Sequence, residues 1–155
     1  MEVGELMIHI YTDGSADNNK SRCGGWAYII IDEDGTELER YSGGEKDTTN
    51  NRMELKAIIE ALEDWCSPID EITVYTDSAY VHNGINSWIE KWKKNGWITA
   101  AKTAVLNKDL WGKLDQLRCD YKITFEKVPA HVGVKYNEIV DSMAVNARRK
   151  IENGK

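Results

Sequence analysis

The sequence lacks the features that mark membrane-spanning and secreted proteins. No apolar run approaches the roughly 20 residues of a transmembrane helix. The first five residues contain no basic group, unlike the start of a signal peptide. The chain has only three cysteines, an odd number without metal-ligand spacing, which is typical of reduced thiols. We therefore predict a cytoplasmic protein without a membrane partner.

Positive charge is also scarce, because 20 Lys and Arg stand against 26 Asp and Glu, a net charge of −6. This balance does not suggest a nucleic-acid binder, although whole-chain charge says little where basic residues cluster. An apolar fraction of 41%, with six Trp and seven Tyr, argues against disorder. We predict one domain over residues 1–155, with a core at about 7–151 and a short polar C-terminal tail.

Two stretches of the chain repeat the pattern Tyr-Thr-Asp, at Asp13 and at Asp77. Each aspartate ends a β-branched and aromatic run that is typical of a strand. If the two strands are parallel neighbours, both carboxylates lie at the sheet edge where ligands collect. Two carboxylates at such a short distance repel each other unless a proton or a divalent cation lies between them. The simpler alternative is a pair of unrelated turn aspartates.

The pattern of elements predicts an α/β fold with a mixed sheet. We expect a three-stranded antiparallel meander with an Asp-Gly turn, then a helix capped by Asn50 or Asn51, and a parallel crossover to a fourth strand. A short helix and a separate second helix should follow, then a helix capped by Asn107, a fifth strand and a final helix. The predicted strands are 7–11, 24–30, 36–42, 72–76 and 122–128, and the predicted helices include 86–94 and 137–151.

Two further acids lie in the first turns of predicted helices. Glu54 is explained by a capping box with Asn51, but helical spacing also places it on the apolar side with Ile58 and Leu62. A carboxylate that points inward there needs a partner. Asp141 borders an apolar stripe, although an acid in a first turn is ordinary. Four converging carboxylates would suit two divalent cations and in-line phosphoryl transfer.

His131 and a tryptophan–lysine segment are the remaining candidates. His131 lies in a glycine-containing loop, where it is either solvated or placed to move a proton near neutral pH. Trp88 and Trp92 share a helical face and suit a core. Lysines interleaved with indoles also suit a nucleic-acid backbone and stacked bases; a solvated face remains the alternative. The lysines nearest these tryptophans are Lys91, Lys93 and Lys94.

Taken together, these motifs resemble type 1 ribonuclease H over residues 7–148. The resemblance rests on five stretches: Tyr11 to Ser15, Thr48 to Leu55, Thr76 to Val81, His131-x-Gly133, and Asn137-Glu138-x-x-Asp141. The segment from Trp88 to Trp97 resembles the basic protrusion of the bacterial-type members. The resemblance implies a ribonuclease H-like fold with a five-stranded sheet in the order 3-2-1-4-5, flanked by helices.

The resemblance also implies an activity and a set of site residues. The activity is endonucleolytic cleavage of the RNA strand of RNA–DNA hybrids, leaving 5′-phosphate and 3′-hydroxyl ends. Two Mg²⁺ ions, with Mn²⁺ as a possible substitute, would be held by Asp13, Glu54, Asp77 and Asp141, and His131 would assist proton transfer or product release. We expect a monomer with no obligate protein partner. The implied hybrid-binding residues are Thr49, Asn50, Asn51, Trp88, Trp92, Lys93, Lys94 and Asn107.

Within that set, six residues have an implied place on the hybrid. Asn50 and Asn51 match contacts near the cut site, and the two tryptophans match contacts to the DNA strand. Thr49 and Asn107 match a pocket for a DNA phosphate. Asp47 departs from the family pattern, because a basic residue often stands there. The loop 17–22 departs as well, since it lacks the usual proline and glycine.

Two other functions share parts of this pattern. A catalytically silent hybrid-binding module would keep the fold and the basic helix but lose one of the four acids, and all four are present. An integrase-like nuclease of the same fold would lack the His131 loop and the lysine protrusion. The motifs do not separate a cellular enzyme from a viral or reverse-transcriptase-derived domain.

Overall fold

The computed structural model describes residues 6–65, 67–99, 101–128 and 135–154. In chain order the strands are β1 (Met7–Ala16), β2 (Gly24–Ile31), β3 (Glu37–Glu45), β4 (Glu71–Thr76) and β5 (Lys122–Lys127). The helices are α1 (Asn50–Asp64), α2 (Ala79–Asn83), α3 (Ile89–Lys94), α4 (Lys108–Asp120) and α5 (Lys135–Glu152), and a π-helical turn (Gly84–Trp88) joins α2 to α3. No helix in this described part of the chain is long and apolar enough to cross a membrane.

The five strands form one sheet in the order β3-β2-β1-β4-β5, which confirms the predicted topology. β1 and β2 pair antiparallel, as do β2 and β3, whereas β4 runs parallel to both β1 and β5. In the ladder between β1 and β4, Tyr11 lies opposite Tyr75. The two Tyr-Thr-Asp repeats are therefore in register, and each aspartate lies two residues beyond the last pair of that ladder.

Helices cover the two faces of the sheet with separate cores. On one face Ile8, Ile10 and Val74 pack with α1, α4 and the α2–α3 segment. On the other face Ala27 and Ile29 pack against α5. Side chains alternate between the two faces along a strand. Asp13 and Asp77 are at odd positions, whereas Ile8, Ile10 and Val74 are at even positions, so both aspartates point toward the face that α5 covers.

Strand β1 is longer than predicted. It runs on past Asp13 to Ala16, because Asp13 pairs with Ala27 and the antiparallel ladder with β2 continues to the end of the strand. Only the parallel ladder with β4 stops at Tyr11. The aspartate therefore lies on a backbone that is held on one side by hydrogen bonds and open on the other.

The predicted cap of α1 is wrong. Thr49 is the N-cap residue, and its hydroxyl accepts a hydrogen bond from the Arg52 backbone N–H at 3.3 Å. A capping box would place its acid three residues after the cap, at Arg52. The predicted pairing of Asn51 with Glu54 therefore does not occur, and Glu54 is left without this simple explanation.

Two helix predictions further along the chain also need correction. The short helix and the helix predicted from residue 86 are one continuous helical segment, joined by the π-helical turn. Gly84 opens that turn against the Trp111 ring, where an added Cβ would lie 2.1 Å from Cη2. Asn107 does precede α4, but its φ is +61° and its side chain makes no capping bond.

Candidate active site

The structure brings three of the predicted acids together at the carboxyl ends of β1 and β4. Asp13 comes from β1, Glu54 from the first turns of α1, and Asp77 follows β4. One carboxylate oxygen from each lies within 4.8 Å of the other two. Asp13 is 4% exposed and Glu54 is 5% exposed. Two nearly buried carboxylates beside a third form a strongly electronegative site.

Gly14 permits this approach between strand and helix. Its backbone N–H donates to Asp13 Oδ1 at 2.9 Å and so orients that carboxylate. A Cβ at this position would lie 2.4 Å from the backbone nitrogen of Glu54 and the carbonyl carbon of Met53, closer than any real contact. Only glycine lets α1 come this close, and the close approach places Glu54 beside Asp13. The sequence signal was the glycine directly after the strand aspartate, but nothing in the sequence showed which helix it faced.

Asp141 completes the cluster from the α5 side. It is half-buried on α5, and its hydrogen bonding and charge raise the pKa of Asp13, although it does not belong to the group of three whose oxygens lie within 4.8 Å of one another. The structure therefore places the other three predicted acids near Asp13. His131 falls within residues 129–134, outside the described part of the chain, so its predicted role stays a prediction.

Burial and mutual repulsion dominate the electrostatics of the cluster. Burial, the charge of Asp77 and a hydrogen bond with Asp141 together raise the pKa of Asp13 to about 8. The N–H of Gly14 acts in the opposite direction. Burial also raises the pKa of Glu54 well above its ordinary value, followed by the charges of Asp13 and Asp77. Without a cation, Asp13 therefore favours its protonated form at neutral pH.

The donor set fits a hard divalent cation. Glu54 Oε1 is buried and has no hydrogen-bond partner among the described residues. Asp70, a buried acid at the other end of β4, instead accepts hydrogen bonds from the Leu6 N–H at 3.0 Å and the Trp65 Nε1–H at 3.1 Å. Oxygen-only ligands at one point are what Mg²⁺ and Mn²⁺ bind. A bound metal ion would give this buried carboxylate oxygen the partner that it lacks among the described residues.

Comparison with known proteins decides the family. A family model described as RNase H matches residues 6–149. The chain belongs to the ribonuclease H family.

Individual members of the ribonuclease H family agree with this assignment. The ribonuclease H of Treponema denticola is 47% identical over 160 aligned positions, which cover 94% of this chain and 99% of that protein. LC9-RNase H1, a type 1 RNase H, has the same fold: its structure has a TM-score of 0.83 at 24% identity and covers 96% of this chain and 75% of that one. LC11-RNase H1, solved in complex with an RNA/DNA hybrid, gives a TM-score of 0.71 at 26% identity, covering 93% and 98%.

In this member of the ribonuclease H family, the residues predicted to bind near the cut lie at the start of α1. The Asn50 side chain accepts from the Ala16 N–H at 3.1 Å, and the Asn50 backbone N–H donates to Asn18 Oδ1 at 2.9 Å. These bonds tie α1 to the loop after β1. Asn51 is exposed next to it. The two asparagines thus lie beside the end of β1, one anchored by hydrogen bonds and one exposed.

Thr49 and Asn107, the predicted phosphate pocket, are joined through Arg52. The Arg52 backbone N–H donates to the Thr49 hydroxyl. The Arg52 side chain donates to Asn107 Oδ1 at 3.2 Å and to both Asp109 carboxylate oxygens. The Asn107 amide donates in turn to the Tyr80 hydroxyl at 3.0 Å. The sequence reasoning missed Arg52, Asp109 and Tyr80, because partners more than 25 positions apart give no periodic signal.

The tryptophan–lysine segment is partly packed against the core and partly exposed. Trp88 and Trp92 are half-buried, with ring centroids 5.8 Å apart, and Trp92 also packs against Trp111 in the core. Lys93 forms ion pairs with Asp115 at 3.3 Å and Glu90 at 3.9 Å. Lys94 is exposed and has no ion pair among the described residues. The two lysines, which the sequence treated alike, therefore differ in how free their charges are.

Proposed function

We propose that this protein hydrolyses the RNA strand of RNA–DNA hybrids with two bound divalent ions, leaving 5′-phosphate and 3′-hydroxyl ends. The observation that carries the proposal is the convergence of Asp13, Glu54 and Asp77, with one buried Glu54 oxygen unpartnered, inside a ribonuclease H fold. Asp141 would join these three as a ligand. Mg²⁺ is the proposed cofactor and Mn²⁺ a substitute, since both prefer oxygen ligands.

Each residue of the site has a distinct part in this proposal. When bound, divalent ions activate the attacking water and stabilise the leaving oxygen. The four carboxylates hold the positive charge in place, and the N–H of Gly14 keeps the Asp13 carboxylate from turning away. Burial of Asp13 and Glu54 excludes bulk water and strengthens their attraction for a cation. We propose that His131 moves a proton or assists product release.

The proposed substrate follows from the groups around the cluster. An RNA strand differs from DNA by its 2′-hydroxyls, which amide side chains such as Asn50 and Asn51 can recognise. The half-buried rings of Trp88 and Trp92 offer a surface for the DNA strand, and Thr49 and Asn107 offer polar groups for a DNA phosphate. Backbone and shape contacts carry little sequence information. We therefore expect low base specificity.

The remaining proposals concern where and in what state the protein acts. Helices of this chain cover both faces of the sheet and fully bury core residues such as Ile10 and Ile29, which supports a monomer without an obligate protein partner. The odd number of cysteines, of which Cys23 and Cys119 are free thiols in the described part of the chain, supports the cytoplasm as its compartment.

A cleavage assay tests the proposed function. A hybrid labelled on either strand is incubated with the protein in Mg²⁺, in Mn²⁺ or in EDTA, beside single-stranded RNA and duplex RNA and DNA. We expect cuts inside the RNA strand of the hybrid alone, dependent on the divalent ion, with 5′-phosphate ends that a phosphatase removes. An intact RNA strand in both ions would overturn the proposal.

The contrast between Lys94 and Lys93 gives a separate prediction. Lys94→Ala should raise the KM for hybrid about threefold at low salt and reduce the slope of log KM against log salt concentration by about 0.7–0.9, the contribution of one phosphate contact. Lys93→Ala should change the slope less, because Glu90 and Asp115 already neutralise that charge. Steady-state kinetics at salt concentrations from about 50 to about 200 mM measure both effects.

The matched control for this prediction is Lys113→Ala. Lys113 is an exposed lysine on α4 that pairs with Glu63 at 2.8 Å, and its removal should leave KM and slope unchanged. Equal slopes for Lys94→Ala and the wild type would mean that Lys94 only faces solvent.

A further inference from the structure

Three tyrosines form a stack beneath the carboxylate cluster. Tyr11 and Tyr75 have ring centroids 4.5 Å apart and planes inclined by 10°. Tyr136 packs on Tyr11 at 5.4 Å, tilted by 37°. We call Tyr11, Tyr75 and Tyr136 the tyrosine stack. They come from β1, β4 and α5, and Asp13, Asp77 and Asp141 are carried on, or directly follow, the same three elements.

The stack lies on the same side of the sheet as the carboxylates. Side chains two residues apart on a strand share a face, so Tyr11 lies below Asp13 and Tyr75 below Asp77. The two tyrosines are opposite each other in the parallel ladder. Their 4.5 Å ring separation is close to the strand spacing of about 4.8 Å, so the two rings stack on the face of the sheet directly above the paired strands.

This position matters because backbone pairing between the two strands ends there. The ladder of β1 and β4 stops at Tyr11 and Tyr75. Two residues later, Asp13 and Asp77 repel each other when both are ionised, as they must be to bind a metal ion, and Asp141 then repels Asp13 as well. The repulsion acts to spread the strand ends and to push α5 away. The stacked rings oppose both movements, since they bind the strands to each other and the first turn of α5 to β1.

Two hydroxyl contacts hold the ends of the stack. The Tyr75 hydroxyl lies 2.9 Å from His9 Nδ1 on β1, and the two rings are also stacked. The Tyr136 hydroxyl donates to the Gly35 carbonyl oxygen at 3.4 Å in the turn between β2 and β3. Each outer ring is thus attached to a second element, whereas Tyr11 in the middle is held by ring contacts.

We infer that the tyrosine stack is a positioning device, which sets the separation of Asp13, Asp77 and Asp141 that a bound divalent ion requires. The inference rests on the proposed function, because it assigns a purpose to the spacing of the proposed metal ligands. Because Tyr11 and Tyr75 lie two residues before the proposed ligands on their strands, we assign the stack no contact with the ion or the substrate. Its effect should therefore appear in metal affinity and kcat, and leave hybrid binding almost unchanged.

Replacement of the central ring tests this inference. Tyr11→Leu should weaken Mn²⁺ binding by the folded protein about tenfold, measured by titration calorimetry, as loss of a group that orients a metal ligand does. It should lower kcat by a similar factor while the KM for hybrid changes less than about twofold. Tyr11→Phe keeps the ring, and no hydroxyl bond of Tyr11 is seen in the described structure, so this variant should match the wild type in both readouts.

Phe125→Leu is the matched control. Phe125 is an aromatic residue on the neighbouring strand β5, and it packs into the core on the opposite face of the sheet. It should lose stability while retaining wild-type metal affinity and kcat. Because Tyr11 also packs against the α5 core, Tyr136→Leu serves as a second, more peripheral variant, with the same expected direction if Tyr11→Leu does not fold.

The outcomes separate this inference from the proposed function. Wild-type protein that cleaves hybrid, with leucine variants of the stack that bind Mn²⁺ as tightly as the wild type, would overturn the positioning role alone. An equal loss of metal affinity in Phe125→Leu would also overturn it, because the effect would then follow general destabilisation. Failure of the wild type to cleave any hybrid would instead overturn the proposed function.

Discussion

Asp13→Asn is expected to abolish turnover while the protein stays folded. Asp13 lies at the centre of the cluster, within 4.8 Å of Glu54 and Asp77 oxygens and next to Asp141. Its replacement removes one negative charge and one anionic ligand but keeps the shape of the side chain. Loss of several kcal/mol of charge stabilisation corresponds to a rate decrease on the order of a thousandfold or more. Single-turnover cleavage of a labelled hybrid measures this decrease, and circular dichroism checks the fold.

Asp70→Asn is the matched control for this prediction. Asp70 is also a buried aspartate, 4% exposed, but it lies before β4 and its carboxylate is satisfied by Leu6 and Trp65. The control should lose some stability and keep the wild-type rate. If Asp13→Asn cleaved hybrid at a rate near that of the wild type, Asp13 would be excluded from the catalytic site.

The second large effect concerns the stability of the metal-free protein as a function of pH. The pKa of Asp13 is raised from 3.8 to about 8 in the folded state. Between these values the folded chain keeps a proton that the unfolded chain has lost, so the free energy of unfolding falls as pH rises from about 4 to about 8. We expect a decrease on the order of 5 kcal/mol across this window, with the elevated pKa of Glu54 acting in the same direction.

Denaturant titrations in EDTA at several pH values measure this dependence. Asp13→Asn should be more stable than the wild type at pH 8 and should show a flatter pH profile, because its side chain no longer titrates. Addition of Mg²⁺ to the wild type should restore the stability lost at high pH. Equal pH profiles for the wild type and Asp13→Asn in EDTA would show that ionisation of the buried Asp13 carboxyl does not lower the free energy of unfolding.

The parts of the site that depend on short-range pattern could be predicted from the sequence. The repeated Tyr-Thr-Asp marked Asp13 and Asp77 as equivalent strand-end residues, and the strand order implied by the family resemblance then placed them side by side. The inward position of Glu54 followed from helical spacing. The strand order came from the family resemblance and is confirmed.

The parts that depend on contacts between distant segments could not be predicted in this way. Thr49 caps α1 rather than either asparagine, because the path of the chain before the helix decides which side chain faces the free N–H groups. The π-helical turn forms where Gly84 meets Trp111, a residue 27 positions later. The tyrosine stack needs three elements in place before its rings can touch. Periodicity within one segment carries no information about any of these contacts.

Binding of Mn²⁺ tests the central claim most directly, since that claim is that the carboxylate cluster holds divalent ions. Electron paramagnetic resonance distinguishes free from bound Mn²⁺ in samples of wild type, Asp13→Asn, Glu54→Gln and Asp70→Asn. We predict that the wild type and Asp70→Asn bind the ion with equal affinity, that the two cluster variants bind it at least about tenfold more weakly, and that Mg²⁺ displaces it. Equal binding by the wild type and both cluster variants would contradict the account.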